Sequence, residues 1–326
     1  MSNKWKDHLL KSSIPLEYEV KKFLDSKGCV TDFEYSYIKD DENRIPTEFS
    51  YDIDASYIKS PHFIDLMIEC KYRHRGTHWV FIPEEYGGPD EIYQNAFMHP
   101  NDHFCKYKFP FSGLFPIEFA PLCSKGIEIT SKDFNPKSIN QAIAQLSYAF
   151  PERIADGMLH QIEELSLSGF VFYHIPIIVT TANLFRLRSD VDIRTIEKAT
   201  DLSEIADEHN SLVIKNKIGI QLRHHNQRVL KQTILSLDEE LVKKKLNSFN
   251  DDVQFVLSVI ATHQCPETLV IFKHSQDNDA LSNLFDYIDN LLKPSDELIE
   301  LIKKQQDEIK NKIDNYKNRK KIRHIT

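Results

Sequence analysis

The sequence feature that most constrains the fold is an almost uninterrupted apolar segment, SGFVFYHIPIIVTTANLF, at residues 168–185. Its β-branched and aromatic residues favour a β-strand. Successive apolar positions, without the alternation of a half-exposed strand, indicate that both faces of this strand are covered. A strand of this kind is typical of an α/β fold, in which helices pack on both faces of a sheet.

The segments before this strand predict a specific order of elements. SSIPLEYEVKKFLDSKG at residues 12–28 predicts a helix, because apolar residues recur at helical spacing between a serine cap and a terminal glycine. Three segments rich in aromatic and β-branched residues follow, and they predict a three-stranded meander over residues 29–39, 48–59 and 62–74. SINQAIAQLSYAFPERI then predicts a second helix that begins at Ser138.

The chain is long enough for two domains, and its character changes near residue 186. We predict a first domain at residues 1–185, interrupted by a long irregular insertion at residues 75–136. A segment of that length inside a compact domain is typically functional or separately folded. We predict a second, α+β region at residues 186–326, which ends in a long polar helix.

The composition indicates a protein of the cytoplasm. The chain has 326 residues, of which 41% are hydrophobic and 28% charged. No apolar run reaches the roughly 20 residues of a membrane span, and the N-terminus lacks the apolar region of a secretory signal. The five cysteines are scattered, as expected for reduced thiols. The net charge of −8 argues against non-specific coating of nucleic acid by the whole surface.

Two of the predicted strands carry charges where a half-buried strand usually has apolar residues. Because residues i and i+2 share a face of a strand, we expect Asp52 and Asp54 to project together, and Glu69 and Lys71 to project together from the next strand. Grouped carboxylates repel one another unless a cation neutralises them, and Mg²⁺ prefers carboxylate oxygens. The pattern predicts a metal-dependent hydrolytic site. The alternative is ordinary charge alternation, or a salt bridge, on a solvated strand face.

The same residues resemble the signature of the PD-(D/E)XK nuclease superfamily, in which an aspartate is followed after a short spacing by an ExK triplet, here Glu69-Cys70-Lys71. The predicted order of helix, meander, helix and strand is similar to the restriction-endonuclease-like core of that superfamily, apart from the insertion. The phrases HLLKSSIPLEYEV and IECKYRHRG look similar to uncharacterised bacterial restriction-like proteins. The resemblance covers residues 10 to about 185.

The resemblance implies a role for each residue of the motif. Glu69 and one of Asp52 and Asp54 are implied to bind Mg²⁺ or Mn²⁺. Strand parity does not say which aspartate is the ligand. Lys71 is implied to position or activate the attacking water.

Two further positions match particular branches of the superfamily. Some branches add a glutamate on the first helix, and Glu17 matches that position as a further metal ligand. Some carry a glutamine on the second helix, for which Gln141 or Gln145 is the candidate.

The function implied by the resemblance is hydrolysis of phosphodiester bonds, most directly in DNA, with RNA as an open alternative. A role in bacterial defence against foreign DNA is implied by the resemblance alone. The competing hypothesis is a catalytically silent subunit that keeps the nuclease fold to bind nucleic acid or a partner protein.

Two basic segments are candidates for contact with nucleic acid. Arg73, His74 and Arg75 follow the ExK motif directly and are predicted to contact substrate phosphates; the alternative is a solvated strand end. The C-terminal helix carries nine Lys and Arg residues from residue 303 onward. It is a candidate for binding nucleic acid, for a homodimer or partner-protein contact, or for a plain solvated helix face.

A structural zinc site is the alternative metal site, with ligands from His and Cys residues in or beside the insertion. Their spacing matches no paired CxxC or CxxH pattern, and the surrounding aromatic residues favour packing instead. These residues are His74, His78, His99, His103, Cys105 and Cys123.

Overall fold

A computed structural model describes most of the chain. The described residues are 4–40, 45–84, 97–105, 119–130, 133–135, 137–163, 167, 169–247, 252–263, 265–277 and 279–297, with isolated positions from 299 to 315. Residues 106–118 of the predicted insertion and most of the predicted C-terminal helix lie outside them. None of the described helices is both long enough and apolar enough to cross a bilayer.

The first part of the chain contains the predicted helix, the meander, the second helix and the apolar strand, in the predicted order. Further short strands lie between the meander and the second helix. The elements are α1 (Lys4–Lys11), α2 (Ile14–Ser26), β1 (Val30–Asp40), β2 (Pro46–Lys59), β3 (His62–Lys71), β4 (His78–Pro83), β5 (His99–Asn101), β6 (Leu122–Ile129), β7 (Phe134–Asn135), α3 (Ser138–Ile162), β8 (Val171–Thr180) and β9 (Asn183–Leu187).

The remaining described part is predominantly helical, with three more strands. The elements are α4 (Ile193–Lys198), a 3-10 turn (Leu202–Glu204), β10 (Ala206–His209), β11 (Ser211–Lys215), α5 (Ile220–Ile234), α6 (Glu239–Lys245), α7 (Val253–His263), β12 (Thr268–Lys273) and α8 (Asp279–Leu292).

All twelve described strands belong to one mixed sheet, with the order β1-β2-β3-β8-β12-β11-β6-β4-β9-β10. Strand β5 pairs with the beginning of β8, and β7 pairs with β6. Strands β1, β2 and β3 are antiparallel neighbours, whereas β8 runs parallel to both β3 and β12. The predicted α/β class is confirmed.

The sheet does not end where the sequence predicts a domain boundary. Strands β11 and β12 follow residue 186 in the chain, yet β12 lies directly beside β8. The insertion is also part of the sheet, because β4 and β6 pair with each other and connect β11 to β9. The boundary near residue 185 therefore coincides with no break in the hydrogen-bonded architecture, and the insertion is not irregular throughout.

Helices cover both faces of the sheet. All ten residues of β8 are buried, as its apolar sequence predicts. Ile178 packs in the cluster formed with α3, α5 and α7, whereas Ile177 and Val179 pack in the cluster formed with α2 and α8. The end of β3 thus lies between α2 and α3, the two helices that the sequence predicts to supply functional side chains.

Candidate active site

The β2–β3 ladder ends at the predicted motif. Its backbone pairing runs from Lys59 opposite His62 to Ile53 opposite Ile68, and then stops. Beyond that point the Oδ2 atom of Asp52 accepts a hydrogen bond of 2.6 Å from the backbone N–H of Cys70. A side-chain carboxylate therefore replaces the next backbone partner and is fixed beside Glu69.

Glu69 and Lys71 form the centre of the cluster. Glu69 is fully buried, and its Oε1 atom accepts a hydrogen bond from the ammonium of Lys71. Its Oε2 atom is buried and has no hydrogen-bond partner within the described part of the chain. Lys71 also donates to Gln145 Oε1 at 3.2 Å, while Gln145 Nε2 donates to the carbonyl oxygen of Ser50 at 3.2 Å. The glutamine of α3 thus connects the lysine to β2.

A left-handed residue in β1 explains why Asp52 and Asp54 do not project together. Glu34 has φ 61°, and its neighbours Phe33 and Tyr35 pair with Ile53 and Tyr51, which places Glu34 opposite Asp52. The two strands exchange faces at this pair. Ile53 packs in the cluster with α2, whereas Tyr51, two residues earlier, packs in the cluster with α3.

This exchange corrects the prediction that Asp52 and Asp54 share one site. Asp52 lies with Glu69 and Lys71, whereas Asp54 accepts a hydrogen bond of 2.6 Å from the Tyr51 hydroxyl and lies 3.4 Å from Arg153. Parity along a strand holds only while the backbone stays extended, and the Glu34–Asp52 pair interrupts it. Nothing in the sequence indicates the interruption, because positive φ is uncommon for a glutamate.

The three carboxylates of the site carry strongly perturbed acidities. Burial, followed by the charges of Asp52 and Glu34, raises the pKa of Glu17 to about 7. Burial and the charge of Asp52 raise the pKa of Glu69 to about 8, although Lys71 opposes the shift. Burial also raises the pKa of Asp52, against the effect of the Cys70 N–H and Lys71. The single ammonium of Lys71 therefore does not balance the negative charge that the three carboxylates would carry if all were ionised.

These shifts predict a pH dependence of stability. Between the ordinary glutamate value of 4.5 and folded values of about 7 and about 8, folded Glu17 and Glu69 hold protons that the unfolded chain has released. The folded state then binds more protons, so the free energy of unfolding of the metal-free protein falls as pH rises from about 5 to 8. Urea unfolding across this interval should show a shallower dependence for Glu69→Gln than for wild type. Equal slopes would contradict the assignment of the shift to Glu69.

The carboxylate oxygens of this cluster are suitable ligands for a divalent cation, although the side chains do not surround a cation site as they stand. Among the described residues, no three His, Cys, Asp or Glu side chains are grouped closely enough to hold a metal ion as they stand. The buried, unpartnered Oε2 atom of Glu69 is the observation in favour of a cation, since an unsatisfied buried oxygen is costly. The carboxylates of Asp52 and Glu17 complete a hard oxygen donor set of the kind that Mg²⁺ prefers.

The alternative zinc ligands do not come together in the described structure. His99 is buried, its Nε2 atom lies 2.9 Å from the carbonyl oxygen of Thr268, and burial lowers its pKa to about 4. Cys105 and Cys123 are buried thiols that pack in different hydrophobic clusters on the two faces of the sheet. These side chains therefore pack in the protein core, although the sequence predicts that they belong to an insertion.

A second charged cluster lies deeper between β3, β8 and α3. The Arg153 guanidinium lies 2.8 Å from Asp65 Oδ1, and His174 Nδ1 lies 2.9 Å from Asp65 Oδ2. Asp65 and His174 are register partners on adjacent parallel strands, and both are buried. Sequence reasoning missed this cluster. Its signal is an acid and a histidine at interior positions of two predominantly apolar strands.

The predicted phosphate-binding residues occupy two different environments. Arg73 donates hydrogen bonds to Glu128 and Ser138, and its guanidinium lies over the ring of Trp79. These contacts hold Arg73 within the fold and do not favour a direct phosphate contact. His74 and Arg75 are exposed in the turn after β3, which Gly76 closes at φ 84°.

Of the two candidate glutamines on α3, the structure places Gln145 beside Lys71. Gln141 is exposed one turn earlier. The two glutamines are four residues apart, so they lie about one helical turn from each other and on only approximately the same face of α3. The side chain of Lys71 contacts the turn that contains Gln145.

Comparison of the chain with models of known protein families, with curated proteins and with solved structures finds no match. The functional interpretation of the cluster therefore depends on its chemistry and on its position at the end of β3.

Proposed function

We propose that this protein is a divalent-metal-dependent nuclease of the PD-(D/E)XK type that hydrolyses phosphodiester bonds in DNA. The observation that carries the proposal is the buried Glu69 carboxylate beside Asp52, with one oxygen bound to Lys71 and the other without a hydrogen-bond partner among the described residues. The restriction-endonuclease-like core is the interpretation of α2, β1–β3, α3 and β8 that accompanies this proposal. Defence against foreign DNA is the biological role proposed with it.

Glu69, Asp52 and Glu17 are the residues that would hold Mg²⁺ or Mn²⁺. A bound divalent cation would supply positive charge against the developing negative charge on the phosphate oxygens. Asp52 is already oriented by the Cys70 N–H, so its free Oδ1 atom is held near Glu69 without further ordering. Glu17 lies on α2, close enough to Asp52 for the two charges to interact.

In this proposal Lys71 is the catalytic side chain that acts beside the metal ion. Its ammonium is restrained by Glu69 and by Gln145 at 3.2 Å, so one N–H direction remains for a water or a phosphate oxygen. A positioned ammonium orients the attacking water and stabilises the charge that develops on the phosphate. Gln145 acts as a positioning residue in this proposal, and the exposed His74 and Arg75 are the proposed contacts to phosphates next to the scissile bond.

A second candidate function is a catalytically silent subunit that uses the same fold to bind nucleic acid or a partner. The observation that favours it is the contact between Lys71 and Glu69, together with the lack of any closed three-ligand group among the described residues. The two candidates differ in one measurable property, which is metal-dependent cleavage.

The test is cleavage of circular and linear plasmid DNA with Mg²⁺ or Mn²⁺ by wild type, Asp52→Asn and Asp54→Asn. We expect wild type to cut and a chelator to abolish cutting. Asp52→Asn should lose at least about 10²-fold in rate, because it removes charge at the site. Asp54→Asn makes the same chemical change two residues away and should stay within about 10-fold.

Circular dichroism and thermal unfolding of both variants control for folding. Equal loss in two folded variants would contradict the assignment of Asp52 over Asp54. A wild-type protein that binds DNA without cutting either form, with either metal, would favour the silent subunit.

A further inference from the structure

A second pocket lies across α3 from the candidate active site. Its volume is about 760 Å³, and it is bounded by α3, β6, α7, the end of β11 and the start of α5. Asn140 and Ile143 of α3 form one wall, whereas Gln145 contacts Lys71 from the opposite side of the same helix. The pocket and the active site therefore lie on opposite sides of one helix.

The pocket carries unbalanced positive charge. Lys125, Lys217 and Arg223 line it, and all three are exposed and make no ion pair within the described part of the chain. Of the two acids in its lining, Glu84 lies 3.1 Å from Lys215 and Glu267 lies 3.4 Å from the imidazole of His263, so the four Lys and Arg side chains of the lining outnumber its acids. Three cations thus face a common space on a protein of net charge −8.

The walls of the pocket are fixed by hydrogen bonds. Asn216 donates from its side chain to Ser147 Oγ at 3.1 Å and to the carbonyl oxygen of Pro266 at 3.0 Å, and its backbone N–H donates to the carbonyl oxygen of Glu267 at 2.7 Å. These bonds tie the loop after β11 to both α3 and the segment before β12. The cations are consequently attached to a rigid scaffold, which reduces the entropic cost of binding an anion.

We propose that this pocket binds backbone phosphates of the nucleic acid strand beyond the scissile bond. The proposal rests on the proposed nuclease function and adds the second part of the substrate path. A strand carries one phosphate per about 3.4 Å of rise, so a strand with its scissile phosphate at Lys71 has others within reach across α3. Contacts of this kind position the substrate without reading its sequence.

The test measures DNA binding in a Glu69→Gln background of the full chain, which we expect to bind DNA without cutting it. Fluorescence anisotropy with a labelled duplex compares this background with Lys217→Glu/Arg223→Glu across a NaCl series. We expect at least about 10-fold weaker binding and a salt slope that is smaller by about 2, as for the loss of two phosphate contacts.

Arg194→Glu/Lys198→Glu is the matched control, because it makes the same charge change at two exposed residues of α4. We expect it to keep the salt slope of the background. Equal losses in the two double variants, an unchanged slope in the pocket variant, or no DNA binding by the background protein would each overturn the proposal. Thermal unfolding of each variant confirms that the fold is retained.

The outcomes for the pocket and for the proposed reaction are separable. If wild type cleaves DNA and the pocket variant binds normally, only the pocket proposal fails. If wild type does not cleave, yet the pocket variant alone loses binding and salt slope, phosphate binding by the pocket stands, while the proposed reaction and the placement relative to a scissile bond fail.

Discussion

Replacing Lys71 by methionine is expected to lower the rate of DNA cleavage by at least about 10²-fold and to leave the protein folded. Methionine keeps an unbranched side chain of similar reach and removes the ammonium. Lys71 is the cation that the structure places against Glu69, and Gln145 holds it there. The loss should therefore appear in the chemical step.

The fold should tolerate this substitution for an electrostatic reason. Burial and Asp52 raise the pKa of Glu69 to about 8, so in the metal-free protein at pH 7 this carboxyl is largely protonated. Removing Lys71 then leaves a neutral acid, not a bare buried charge. We expect the free energy of unfolding to change by less than about 1.5 kcal/mol.

The measurement is initial-rate cleavage of supercoiled plasmid, with Lys59→Met as the matched control. Lys59 is an exposed lysine at the opposite end of the β2–β3 ladder, and its replacement should leave the rate unchanged. Fluorescence anisotropy with uncleaved DNA should show similar DNA affinities for wild type and Lys71→Met. The loss of cleavage rate is then a loss of kcat. A Lys71→Met protein that cuts as fast as wild type would contradict the catalytic role of Lys71 and leave its contact with Glu69 as a structural ion pair.

Local sequence patterns predict the elements that carry and surround Lys71 and Glu69, but not how distant strands pair. Helix α2, the three-stranded meander, α3 and β8 follow from periodicity, aromatic content and turn residues, which act over a few neighbouring positions. The pairing of β12 with β8, and of β4 with β6, joins segments far apart in the chain. Local patterns contain no information about such partners, so the predicted domain boundary followed a change in composition while the sheet continued across it.

The candidate site shows the same division. Glu17, Asp52, Glu69 and Lys71 come together because the first turn of α2, the middle of β2 and the end of β3 meet, and the order of those elements is visible in the sequence. The separation of Asp54 from this group depends on the left-handed backbone at Glu34, which is a tertiary feature. The choice of Gln145 depends on how far α3 is rotated against the sheet.

Replacing Arg153 by methionine is expected to destabilise the fold by about 3–5 kcal/mol, the range for breaking a buried ion pair by removing one partner. Asp65 is 2% exposed and depends on Arg153 at 2.8 Å for its charge balance. Burial raises the pKa of Asp65, but Arg153 and His174 more than offset that effect and hold it below the ordinary value. Without Arg153 an ionised carboxylate would remain in the interior between β3, β8 and α3.

The measurement is urea unfolding at pH 7 with two comparisons. Arg188→Met breaks an exposed pair with Asp207 at 2.9 Å and should destabilise the fold far less than Arg153→Met, because solvent screens this pair. Asp65→Asn/Arg153→Met removes both charges and should recover part of the loss, because the unpaired carboxylate is gone.

The sign of a pH dependence separates the lost charge from the lost packing of Arg153 over Tyr35, which lies 4.9 Å away. In wild type Arg153 and His174 hold the pKa of Asp65 below its ordinary value, so folding favours its ionised form. In Arg153→Met the folded pKa of Asp65 rises above its unfolded value, so the variant loses stability as pH rises from about 4 to 7. The difference between wild type and variant should therefore be smaller at pH 4 than at pH 7. A difference independent of pH would assign the effect to packing against Tyr35, and the buried charges would then be minor contributors to the stability of this sheet.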